Sequence, residues 1–150
     1  MNRYFTLALF IALVLGGGTA IGLMTLPGEW YSGLVKPSFN PPNWIFGPVW
    51  TILYIMVAVA GWRLWESHRS STSMKIWWVA LVLNFLWSPA FFGIQSPALA
   101  LVIIVPMLVL IYLFIIKTWN LDRIAAWLFV PYAIWVSFAS LLNASIWWLN

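Results

Sequence analysis

Along this chain, long uncharged apolar stretches alternate with short connections that hold the charged residues. Crossing the hydrocarbon core of a bilayer takes about 20 predominantly apolar residues at 1.5 Å of rise each. Five stretches are long enough: residues 4–26, 42–65, 74–92, 97–116 and 123–149. The pattern predicts an all-α integral membrane protein, a single domain built as a five-transmembrane-helix bundle, with residues 27–41 forming the longest connection outside the spans.

Local signals refine each span. The first carries Gly16, Gly17, Gly18, Ala20 and Gly22, with a Gly18-x-x-x-Gly22 spacing that lets two backbones approach closely. The second is expected to start in Asn40-Pro41-Pro42, an Asn cap followed by prolines at the first helical positions, and to kink at Pro48. The third ends near Pro89, the fourth contains Pro106, and Gly93-Ile94-Gln95-Ser96 joins them. Asp122 is placed to favour the positive N-terminal end of the fifth span. Arg3 is the single positive residue before the first apolar run, which is about twice the 7–15 residues of a signal-peptide core, so this span is expected to be retained.

Composition strengthens the membrane reading. Hydrophobic residues make up 64% of the chain and charged residues 7%, with a mean hydropathy of +0.96, against about 25% charged in an average soluble domain. Five spans bring six of the seven Lys and Arg residues to one side and leave Lys36 on the other. By the positive-inside rule the N-terminus is expected in and the C-terminus out, with the 27–41 connection as an outward-facing roof. The net charge of +4 is scattered singly rather than set in a stripe, so nucleic acid is not an expected partner. With no cysteine and one histidine, thiolate chemistry, iron–sulfur clusters and a protein-built metal cage are not expected.

Polar chemistry has little material within the spans. Glu29, Glu66 and Asp122 all fall at span ends, so no carboxylate lies at bilayer depth to relay protons or hold an ion. There is no Ser/His/Asp set, phosphate loop or paired carboxylate on one helix face.

What remains is aromatic: 13 Trp, 10 Phe and 5 Tyr. Trp65, Trp77, Trp119, Trp127, Trp147 and Trp148 lie near span ends, where interfacial belts form. Trp50, Trp87 and Trp135 lie one to three turns inside, and their indole N–H groups favour a partner away from lipid. Helical spacing groups Phe46, Trp50 and Tyr54 on one face, Asn84, Trp87 and Phe91 on a second, and Trp135, Ala139 and Leu142 on a third. Three such faces can surround one cavity for an apolar, aromatic ligand. Asn84 is a mid-span amide that needs either a helix–helix hydrogen bond or a ligand contact. Asn143, Ser140 and Ser88 carry the same choice, with bonding to protein favoured; Ala139 is either a packing residue or a pocket floor.

The run Lys36-Pro37-Ser38-Phe39-Asn40-Pro41-Pro42-Asn43-Trp44-Ile45-Phe46-Gly47-Pro48-Val49-Trp50, continued by Leu53-Tyr54, resembles the translocator protein and tryptophan-rich sensory protein (TspO/MBR) family. The resemblance continues at Glu29-Trp30-Tyr31, at Leu83-Asn84-Phe85-Leu86-Trp87-Ser88-Pro89-Ala90-Phe91-Phe92-Gly93, at Val130-Pro131-Tyr132-Ala133-Ile134-Trp135 and at Leu142-Asn143. It implies a five-helix fold, often a homodimer, with a pocket beneath the roof loop that binds porphyrins, sterols and synthetic aromatic drugs such as benzodiazepines. Carried over by position, it implies Trp30, Tyr31, Phe46, Trp50, Tyr54, Asn84, Trp87, Trp135, Ala139 and Leu142 as ligand-contacting residues. The sterol motif of animal members needs Tyr followed by Lys or Arg on the last helix. This chain has no Tyr after Tyr132 and neither Lys nor Arg after Arg123.

Together these readings make a membrane binding protein or sensor for porphyrins, acting in tetrapyrrole regulation or a stress response, the leading expectation. No cofactor is required; protoporphyrin or haem is the expected ligand. His68 is the one imidazole, on the side away from the pocket, so haem iron is not expected to gain a protein ligand. The resemblance also suggests a light- and oxygen-dependent porphyrin degradation using Trp50 and Trp135. A transporter of porphyrins or sterol-like molecules is a third reading, and a bacterial cell envelope the expected location.

Overall fold

The computed structural model describes residues 2–150. Five helices are long and apolar enough to cross a membrane: α1 (Arg3–Met24), α3 (Asn43–Ser67), α4 (Thr72–Gly93), α5 (Pro97–Thr118) and α6 (Arg123–Leu149). A short helix, α2 (Glu29–Ser32), sits in the connection between α1 and α3. The protein is therefore an all-helical, membrane-spanning bundle.

Helix ends follow from side chains. Asn2 accepts from Tyr4 N, Ser71 from Met74 N, Ser96 from Leu99 N and Asp122 from Ala125 N, each capping the backbone donors that a first turn leaves free. The start of α3 differs from expectation. Asn40 caps nothing, Pro42 is extended (φ −58°, ψ 146°), and the helix enters through a tight turn at Asn43–Ile45. An N-cap residue is itself extended, so Pro41 does not bar Asn40 from capping. Pro42 instead excludes its own predecessor, Pro41, from helical geometry and is extended in turn, which moves the start downstream to Asn43.

Two helices widen locally. α1 has a π turn over Ala12–Gly16 and α4 another over Pro89–Gly93. Pro89 has no N–H to give the preceding turn, and the wider turn absorbs that missing bond.

The helices pack in the ring order α1, α3, α6, α5, α4 and back to α1. At one end Trp62 Nε1 donates to Arg3 O at 2.9 Å, and Arg63 pairs with Asp122 at 2.9 Å, joining α1, α3 and α6. This half is closely packed around Phe10, Trp77, Ile111, Phe114, Phe129 and Tyr132. Trp77 corrects the belt assignment: it is fully buried, donates to Val57 O at 2.9 Å and lies against Gly61. A Cβ on Gly61 would stand 2.3 Å from the Trp77 ring, so only glycine admits the indole there. Trp127, Trp147 and Trp148 are exposed as belt residues are.

Candidate ligand-binding site

The packed half stops at Tyr54 and Tyr132, and beyond them the helices separate around a cavity of about 360 Å³. All five long helices line it, under a roof that includes Tyr31, Asn40 and Asn43. Among the described residues no charged side chain lines it.

Each wall has a local cause. On α3, Phe46, Trp50 and Tyr54 recur every four residues and face one way. Trp50 packs on Tyr54 at 5.4 Å and edge-on to Tyr132 at 6.4 Å. On α4, Asn84, Trp87 and Ser88 precede the π turn, which brings Phe91 and Phe92 onto the same wall. Trp87 stacks on Phe91 at 5.2 Å, and Tyr31 in the roof meets Phe92 edge-on at 5.4 Å. On α1 a Cβ at Gly18 would stand 2.4 Å from the Tyr54 ring, so the Gly18 face is occupied from within this chain. Gly22, one turn on, has open space before it and lines the cavity.

The polar groups are mostly spent on one another. Asn84 Nδ2 donates to Tyr132 Oη, Trp87 Nε1 to Asn143 Oδ1 at 2.9 Å, and Asn143 Nδ2 to Pro97 O at 2.9 Å. Thr25 and Ser88 share a hydrogen bond at 2.7 Å between α1 and α4. Buried amides in an apolar wall must be paired in this way, and the pairing fixes the indole and amide orientations around the cavity.

Above, the roof is tied to the far end of the chain. Val35 N donates to Asn150 Oδ1 at 3.0 Å, and Asn150 Nδ2 returns a bond to Val35 O at 2.9 Å. Lys36 lies 4.5 Å from the Tyr31 ring centroid and donates to Leu34 O at 3.3 Å. Burial holds the Tyr31 phenol above its ordinary pKa, and a hydrogen bond with Asn40 offsets part of that rise.

Of the ten residues singled out in the sequence, Tyr31, Phe46, Trp50, Tyr54, Asn84, Trp87, Ala139 and Leu142 line the cavity. Trp30 and Trp135 stand behind its wall: Trp30 packs edge-on against Phe91 at 5.8 Å, and Trp135 against Phe46 at 5.7 Å. The Trp135 indole nitrogen is enclosed without a hydrogen-bond partner among the described residues. Sequence reasoning missed the contribution of α5, Ile104 and Met107. For Asn143 it favoured bonding to protein, and Asn143 makes those bonds while also lining the cavity. Aliphatic positions on an all-apolar helix carry no facing signal. The Gly18-x-x-x-Gly22 spacing, read as a face for close backbone packing, instead meets the Tyr54 side chain at Gly18 and the cavity at Gly22.

A family model described as the TspO/MBR family matches residues 10–149. The tryptophan-rich protein TspO of Chlorobaculum tepidum is 44% identical, over 100% of this chain and 99% of that protein. Protein CrtK of Rhodobacter capsulatus is 35% identical, over 94% of this chain and 89% of its own length. The human translocator protein is 30% identical, over 87% and 82% respectively.

Proposed function

Because this chain belongs to the TspO/MBR family, we propose that it is a membrane binding protein and sensor for porphyrins and other apolar aromatic ligands, acting in tetrapyrrole regulation or a stress response. The observation that carries this reading is the cavity itself, walled by Trp50, Trp87, Phe46, Phe91 and Phe92 and free of charged side chains among the described residues. A flat apolar ligand gains about 25 cal/mol for each Å² it removes from water. Offset or edge contacts with the rings add about 0.5–1.5 kcal/mol per pair. The paired amides leave little polar surface to penalise it.

Carboxylates of such a ligand fit the rim rather than the interior, since Lys36 is the cation of the roof. Closing the roof over an occupant changes the outer surface, which is the signal a partner would read. The charge asymmetry of the spans supports a roof facing outward from a bacterial cell envelope. Pairing with a second copy, implied by the resemblance, belongs to the same proposal.

The test is a dark titration of the purified protein with protoporphyrin, followed by tryptophan quenching. Saturable quenching that Trp50→Phe weakens supports the reading; its absence overturns it. Illumination in oxygen then separates binding from degradation. Loss of porphyrin absorbance that needs the protein and is abolished in Trp50→Phe and Trp135→Phe would make the degrading activity the better account.

A further inference from the structure

At the end of the bundle away from the roof, arginines and aromatic rings are paired. The Arg69 guanidinium carbon stands 4.2 Å from the Trp65 ring centroid. That of Arg123 stands 5.0 Å from Trp119, and that of Arg3 5.4 Å from Trp62 and 5.6 Å from Tyr4. A guanidinium lying over a ring keeps its N–H donors in its own plane, so stacking holds the group in place while leaving donors unused.

The rings are themselves fixed. Trp62 donates to Arg3 O at 2.9 Å, Trp65 packs on Phe10 at 6.0 Å, and Trp119 packs on Trp127 at 5.6 Å. Arg69 uses Nε on Trp65 O at 3.1 Å, which leaves its two terminal nitrogens free of protein acceptors among the described residues. Arg63 is the contrast: its Nε is held by Asp122 in the ion pair. Glu66, the other acid of this end, makes no ion pair among the described residues. The end as a whole carries six of the seven basic residues and two of the three acids.

Trp65 and Trp119 lie near span ends, where tryptophans settle at headgroup depth, so the Arg69 and Arg123 guanidinium groups over them are presented at the level of lipid phosphates. Arg3, between buried Trp62 and exposed Tyr4, lies at the same end of the bundle. We propose that Arg3, Arg69 and Arg123 form a binding belt for anionic phospholipids, each offering a planar fork of donors to a phosphate. Planar, bidentate pairing is what distinguishes arginine from lysine at such a site. Lys75 and Lys117 share the same end, lie over no aromatic ring among the described residues, and contribute general attraction only.

The test uses the full chain in neutral detergent, titrated with phosphatidylglycerol, phosphatidylcholine or inorganic phosphate, with melting temperature and lipid retention in native mass spectrometry as readouts. Phosphatidylglycerol is expected to raise the melting temperature saturably, and the other two are not. Replacing the three arginines by lysine keeps every charge and is expected to weaken phosphatidylglycerol about fivefold or more. Lys75→Gln with Lys117→Gln is expected to change it less than about twofold. Wild-type affinity in the arginine-to-lysine protein, or an equal loss in the lysine variant, would replace the belt with diffuse charge. An equal response to inorganic phosphate would make it a free-anion site. Arg69→Lys alone, read in the same way, keeps the test decisive if the triple variant folds poorly.

Discussion

Trp87 donates its indole N–H to Asn143 Oδ1 at 2.9 Å, and Asn143 passes the constraint to Pro97 O at 2.9 Å, so one amide sets the angle of an aromatic wall and ties α4, α5 and α6 together. Trp87→Phe leaves Asn143 Oδ1 without its donor. Interhelical hydrogen bonds in membranes are worth about 0.6–2 kcal/mol, so a stability loss of that order is expected. Because the ring beside Phe91 also loses its fixed angle, porphyrin affinity should fall about tenfold as well. Asn143→Leu should reproduce the stability loss, since it strands the indole N–H instead. Thermal melts and the dark quenching titration measure both effects. Unchanged affinity in both variants would show that the wall angle does not matter.

How far the sequence reached depends on the kind of signal. The five spans were legible because a bilayer demands about 20 apolar residues in every one of them, and the charges mark their ends. Phe46, Trp50 and Tyr54 were legible because four-residue spacing on a helix defines a face. Trp77 was misread because span-end position describes depth and not direction. What turns its ring inward is Gly61 on another helix, a pairing no local pattern records. Asn40 was misread because Asn followed by Pro is a good local cap signal, while the second proline, Pro42, keeps Pro41 out of helical geometry and forbids the helix from starting there. Ile104 and Met107 stayed hidden among the uniformly apolar residues of α5.

Gly61 therefore predicts a stability effect separate from the cavity. Ala at this position meets the Trp77 ring at 2.3 Å, and overpacking of that kind costs about 1–3 kcal/mol. Gly61→Ala should lower the melting temperature while protoporphyrin affinity, measured well below it, stays within about twofold of wild type. A large affinity loss would mean that the packed half and the cavity are coupled.

Gly18 predicts the reverse. A Cβ there meets Tyr54, whose ring has the cavity on its other side, so a larger residue can push the ring into the open volume. Gly18→Leu should cut porphyrin affinity about tenfold or more with a modest loss of stability. Gly22→Ala, with nothing within 4 Å of its Cβ, should bind as wild type does. Equal behaviour of the two variants in the quenching titration would contradict the assigned geometry.

The roof gives the last prediction. Its middle is held by two hydrogen bonds between the Val35 backbone and the Asn150 side chain, and Phe39 adds a ring contact to Phe138 at 6.2 Å. Neither bond reaches the cavity, so removing them leaves the walls intact and acts on closure alone. Asn150→Ala forfeits these two exposed bonds to the roof, each worth about 0.5–1.5 kcal/mol, together with a third inside α6 from Asn150 Nδ2 to Ile146 O at 2.8 Å. Loss of the two roof bonds should raise the open fraction of the roof about tenfold. Hydrogen exchange at Val35 should then accelerate while exchange in α3 and α4 is unchanged. If ligand leaves through the roof, its dissociation from Asn150→Ala should quicken in proportion. If exchange rises and dissociation does not, the exit lies between the helices, where the lining residues Thr19 and Leu23 of α1 and Thr51 of α3 are exposed along the cavity's side.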